Sequence, residues 1–151
     1  MHYYRLMCAW KQNDNMPFSF DNAHDLNSAR DSSQEESIKA QLRIRMQNSK
    51  EFILLIGENT RYLYKFLKWE IEQALARDLP IIAVNLNGMR SQDTDRCPPV
   101  LRNELSIYVS FNAAILQHAL EHWPSSHMKY KTEEKSGPYY YKESVYRQLG
   151  L

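Results

Sequence analysis
Two short apolar runs dominate the pattern of the chain, Phe52-Ile53-Leu54-Leu55-Ile56 and Ile81-Ile82-Ala83-Val84. Each is closed by a glycine-containing stretch, Gly57-Glu58-Asn59-Thr60 and Asn85-Leu86-Asn87-Gly88. Apolar runs without polar alternation are what strands buried on both faces require. Between them, Arg61 to Arg77 reads as a helix, with Leu63, Leu67, Ile71 and Ala74 on one stripe at 100° per residue. Strand, helix and strand in that order predict a parallel pair joined by a right-handed crossover. Ligands of open parallel sheets gather at the carboxyl ends of the strands. The two glycine-containing stretches are therefore the first places to look for chemistry.

The rest of the chain extends this alternation. Tyr3, Leu6, Met7 and Trp10 have helical spacing, stopped by Asn13-Asp14-Asn15. Phe18-Ser19-Phe20 is a plausible brief strand after Pro17, and Asp21 to Asp31 is a polar loop. Ser33-Gln34-Glu35-Glu36 has the form of a capping box, in which the serine and the glutamate three residues on satisfy each other's backbone amides. Ile38, Leu42 and Met46 follow as the buried stripe of a helix that ends near Asn48. Met89 to Pro99 is a loop closed by Cys97-Pro98-Pro99, and Ile107-Tyr108-Val109-Ser110-Phe111 is a further strand. Asn112 is placed to cap a last helix with the stripe Ile115, Leu116, Ala119 and Leu120, and Pro124 stands beyond its expected end. Strands near 18–20, 52–56, 81–84 and 107–111 alternating with helices predict an α/β sandwich around a parallel sheet.

Composition narrows the function classes. The length of 151 residues suits one domain, and the net charge of +1 gives no support for a nucleic-acid or membrane-surface role. No apolar run approaches the length of a membrane span, no signal-peptide pattern opens the chain, and a cytoplasmic location is expected. Cys8 and Cys97 are the two cysteines, far apart, which suits a reducing compartment and excludes a cysteine-rich metal site. No glycine-rich phosphate loop occurs.

Five segments taken together are similar to the TIR-like domain family of the Thoeris anti-phage defence system. They are Phe20 to Asp25, Asp31 to Lys39, Ile53 to Thr60, Lys68 to Leu75 and Pro80 to Gly88, within a resemblance that runs over roughly residues 2 to 115. The resemblance implies a flavodoxin-like, TIR-like three-layer sandwich with a parallel sheet in the strand order 2-1-3-4-5. It also implies use of NAD as a substrate, with no bound cofactor. The bond to nicotinamide is cut by an NAD glycohydrolase or ADP-ribosyl cyclase activity, and a cyclic ADP-ribose-type messenger activates a partner effector. In TIR enzymes the catalytic glutamate stands four residues after a tryptophan; here Phe66 takes the tryptophan's place and Glu70 falls on the glutamate. The family begins with a strand that does not precede His2, so an N-terminally truncated domain is expected over residues 1–124. Residues 125–151 form a tyrosine-rich extension packed on the domain or trailing from it.

Helical geometry also separates Glu70 from Glu72. Glu70 lies at the margin of the Leu63–Ala74 stripe, one turn after Phe66, whereas Glu72 lies well round toward solvent. A carboxylate at such a margin is able to face a cleft and stabilise an oxocarbenium-like ribose. The plainer alternative is an ordinary ion pair with Lys68 or Arg77. Asp21 and His24 are candidate substrate contacts in a polar loop, with solvation or capping as the alternative. Asn59 is a candidate ribose or phosphate ligand, with capping of the next helix equally open. His118, His122 and His127 are not spaced as a metal set, and no metal is expected. The expected partners are NAD, an effector reached through a diffusible nucleotide, and a homo-oligomer; a non-enzymatic interaction module is the competing function.

Overall fold
The computed structural model describes residues 50–58, 60 and 65–151, with side chains in the first helix described from Leu67 onward. The expected elements near 2–11, 18–20 and 33–48 lie outside these residues. Four parallel strands form one sheet in the order β1 (Phe52–Ile56), β2 (Ile81–Asn85), β3 (Ser106–Ser110) and β4 (Pro138–Tyr140). Helix α1 (Lys65–Ala76) joins β1 to β2, and α2 (Ala113–Thr132) joins β3 to β4. A turn-rich crossover over residues 86–105 joins β2 to β3, and α3 (Glu143–Gln148) follows β4. The parallel α/β architecture agrees with the flavodoxin-like, TIR-like expectation.

Every residue of β2 and β3 is buried, which is why their sequences show no polar alternation. Side chains of β2 point alternately to two cores. Ile81 and Ala83 join Ile71 and Ala74 of α1, with Leu54, Ile56, Cys97, Leu101 and Tyr108, on one face. Ile82 and Val84 join Ile115, Leu116, Ala119 and Trp123 of α2, with Tyr146 of α3, on the other. The result is three layers. The two helical crossovers step in the same direction along the sheet yet cover opposite faces, so they have opposite hands. Only one of them has the right-handed form that parallel crossovers nearly always take.

Two sequence expectations are corrected. The helix capped by Asn112, whose Oδ1 accepts from the amides of Ala114 (2.8 Å) and Ile115 (3.4 Å), does not end before Pro124. It runs through Pro124 to Thr132, because the stripe Ile115–Ala119–Trp123–His127 stays buried on the same face beyond the proline. A proline inside a helix costs about 3 kcal/mol, so burial of Trp123 and of the 4 %-exposed His127 is what carries the helix across it. The second correction is β4. Pro138 opens it at the sheet edge, where a missing amide is tolerated, and Tyr139 continues the α2-side core by stacking on Tyr130, centroids 4.5 Å apart.

Candidate functional site at the carboxyl edge of the sheet
The carboxyl ends of the strands are not equivalent. Beyond β3, the amide of Ser110 donates to the hydroxyl of Tyr146 at 3.3 Å, and the Tyr146 ring is fully buried. Arg90 lies over that ring, 4.2 Å from its centre, and pairs with Glu143 of α3. The end of the sheet from β2 to β4 is thus filled by the 86–105 crossover and by α3.

The loop after β2 is closed on itself. Asn85, 1 % exposed, donates its side-chain amide to the carbonyls of Met89 (3.1 Å) and Ser91 (2.8 Å). Its backbone carbonyl accepts from the amides of Gly88 and Phe111, both at 3.1 Å. Asn87 bonds Asp93 at 2.8 Å and receives the Met89 amide at 3.1 Å. Gly88 adopts φ +84, a conformation that favours glycine. Both asparagines organise the loop, Asn85 from a buried position and Asn87 at the surface. Sequence reasoning singled out the stretch but missed that role for Asn85, since an amide ending an apolar strand suits a ligand contact equally well.

Beneath the crossover lies a buried polar cluster. Gln92 donates to the Tyr108 hydroxyl at 3.0 Å and to the Arg102 carbonyl at 2.9 Å, and Cys97 Sγ lies 3.2 Å from the same hydroxyl. Burial pushes the Cys97 thiol and the Tyr108 phenol up from their ordinary values. A thiol held protonated and enclosed is a poor nucleophile, so Cys97 is structural.

At the end of β1 the described residues form a turn. Gly57 donates its amide to Thr60 Oγ1 at 2.7 Å, and the Thr60 hydroxyl reaches back toward the Leu55 carbonyl at 3.5 Å. The Leu86 amide donates to Ile56 at 2.9 Å, which lays the β2 loop against this turn. A Cβ at Gly57 would come within 3.3 Å of Leu86 Cδ1, so the absence of a side chain lets the two loops meet. Helix α1 starts from this edge. With a rise of 1.5 Å per residue, Glu70 stands roughly 7–8 Å along α1 from Lys65.

Glu70 is 4 % exposed, next to the fully buried Ile71 and one turn from the fully buried Ala74. It is engaged rather than free. Glu72 faces solvent and pairs with Lys68 at 3.9 Å. Lys68, one of the two partners that the plainer alternative offers Glu70, pairs with Glu72. Burying a carboxylate is costly unless it is satisfied, so a buried and engaged glutamate on the helix that follows β1 is a site candidate on physical grounds. Phe66 belongs to α1, but its side chain lies outside the described residues, as do Asn59, Asp21 and His24. Of the expected site residues, Glu70 is the one whose side chain the structure places.

Among the described residues no three histidine, cysteine or acidic side chains come together as a metal centre, and no helix is long and apolar enough to cross a membrane. In a comparison with known protein families, the family model described as Thoeris protein ThsB, TIR-like domain, matches residues 1–91. That span takes in β1, α1, β2 and the loop clamped by Asn85.

Proposed function
Because the chain belongs to the TIR-like domain family of the Thoeris protein ThsB, a family of anti-phage defence, we propose that it cleaves NAD at the nicotinamide–ribose bond and makes a cyclic ADP-ribose-type signal that activates an effector. The observation that supports this reading is the burial of Glu70 on α1, the helix that follows β1, inside the matched span. Nicotinamide departs with the electron pair of the glycosidic bond and leaves positive charge on the ribose. A carboxylate held in a low-dielectric setting opposes that charge far more effectively than one in water. Capture of the ribose by a nucleophile within the same molecule closes a ring; capture by water gives the linear product. Exclusion of water from the cleft therefore decides between the two outcomes.

The test is incubation of purified chain with NAD, alone and in extract of phage-infected cells, with nicotinamide and cyclic product followed by chromatography and mass spectrometry. Glu70→Gln keeps the shape and removes the charge, and it should abolish turnover while Glu72→Gln retains it. Turnover that survives Glu70→Gln overturns the assignment. No turnover by the parent chain, together with concentration-dependent self-association lost on replacing the half-buried tryptophan that precedes Glu70 on α1 (Trp69→Ala), would establish the interaction module instead.

A further inference from the structure
We propose that His118 and His122 of α2 form a two-imidazole site for a divalent transition-metal ion of the zinc class. The two residues are one helical turn apart, the spacing that brings side chains together on one face, and their ring centroids lie 4.3 Å apart with the planes tilted by 44°. Two Zn–N bonds of about 2.0–2.1 Å at a tetrahedral angle need nitrogens about 3.3 Å apart. Rings whose centres are 4.3 Å apart reach that separation by small side-chain rotations. Tyr141 packs edge-on against His118, centroids 4.9 Å apart, and holds one ring in place, while the exposed His122 is free to turn toward it.

Electrostatics favours the same occupant. Partial burial and then the neighbouring His122 hold His118 below the usual imidazole range, although Glu121 opposes this. An uncharged imidazole is the form that binds metal, and His118 is biased toward it. His118-Ala119-Leu120-Glu121-His122 also has the H-x-x-E-H order of one class of zinc peptidases. Glu121, however, accepts a hydrogen bond from Gln117 at 3.1 Å, and no third ligand joins the pair among the described residues. Water completes the coordination, and the geometry points to ion binding without hydrolysis. In the sequence His118 and His122 share a helical face, but with no acid or third ligand fixed beside them they do not read as a metal set. The structure separates His127, which is buried with Nε2 3.1 Å from the Asp78 carbonyl, and leaves the pair.

The experiment titrates the full chain with zinc chloride, reading the imidazole resonances by NMR and the binding heat by calorimetry. Both rings should shift together with one ion bound per chain. His118→Gln and His122→Gln should each weaken binding at least about tenfold, as loss of a direct ligand exceeds the 10–100-fold cost of losing outer partners. Should His118→Gln unfold the protein, His122→Gln decides the matter, because its side chain is exposed. Rings unmoved at millimolar zinc, or undiminished affinity in His122→Gln, overturn the proposal.

Discussion

The clamp at the end of β2 provides a sharp test, through Asn85→Asp and Asn85→Ala compared in parallel. Asparagine donates to two carbonyls, at 3.1 and 2.8 Å, from a position 1 % exposed. Alanine removes both hydrogen bonds, each worth about 1 kcal/mol, and the predicted loss is about 2–3 kcal/mol at any pH. Aspartate is nearly isosteric, but when ionised it turns an oxygen onto two carbonyl oxygens in a buried site. Its folded-state pKa must rise above the ordinary value of about 3.9; a rise of about 2–3 units costs about 3–4 kcal/mol at neutral pH. A protonated carboxyl still donates to one carbonyl, so the other lost bond adds about 1 kcal/mol. The sign follows from linkage. The unfolded aspartate releases its proton near pH 4 while the folded one retains it, so the penalty is absent below pH 4 and grows as pH rises. Urea unfolding of parent and variants at pH 4 and pH 7.5 measures this directly. Asn85→Asp should be the worse variant at pH 7.5, by about 2 kcal/mol, and the milder one at pH 4. Equal losses at both pH values would mean that the amide does not face those carbonyls, and the account of the clamped loop would fail.

Other outcomes follow from the same structure. Glu70→Gln should abolish NAD turnover without lowering the midpoint of thermal unfolding, whereas Glu72→Gln should leave both unchanged. Tyr146→Phe removes one hydrogen bond and should cost about 1 kcal/mol, while Tyr146→Ala empties a fully buried position and should cost about 3–5 kcal/mol in urea unfolding. Cys97 should resist a thiol reagent in the native protein and react only on unfolding, since it is enclosed and its thiol is held up by burial. Burial also pushes the Tyr141 phenol from 10.0 to about 12. The unfolded chain then loses that proton first, so stability should fall as pH rises from about 10 toward 12, as a pH series of urea midpoints would show.

The sequence was readable where burial is two-sided and local. The runs 52–56 and 81–84 announced β1 and β2 because nothing polar fits between two covered faces, and Asn112 announced its helix because an N-cap acts on amides two and three residues away. Elements fixed by distant partners were not readable. Helix α2 passes Pro124 because Trp123 and His127 are buried against the sheet and against Asp78, and local propensity knows nothing of either. Strand β4 is three residues long, begins with proline and owes its existence to pairing with Ser106–Tyr108. At the site, helical angle alone distinguished the buried Glu70 from the exposed Glu72. The inward turn of Asn85 was not readable, because an amide after an apolar strand is equally suited to meeting a ligand.

The opposite-handed crossovers bear on how the molecule is built. Helix α2 must turn back over one face before the chain emerges at the far flank and supplies β4. Until then the outer rim of β3 presents the unmatched backbone of Ser106–Tyr108, an invitation to any extended neighbour. Fragments cut between Thr132 and Pro138 should accordingly precipitate more readily than the whole chain. The short tyrosine strand acts as a selvage that keeps the fabric from fraying into its neighbours.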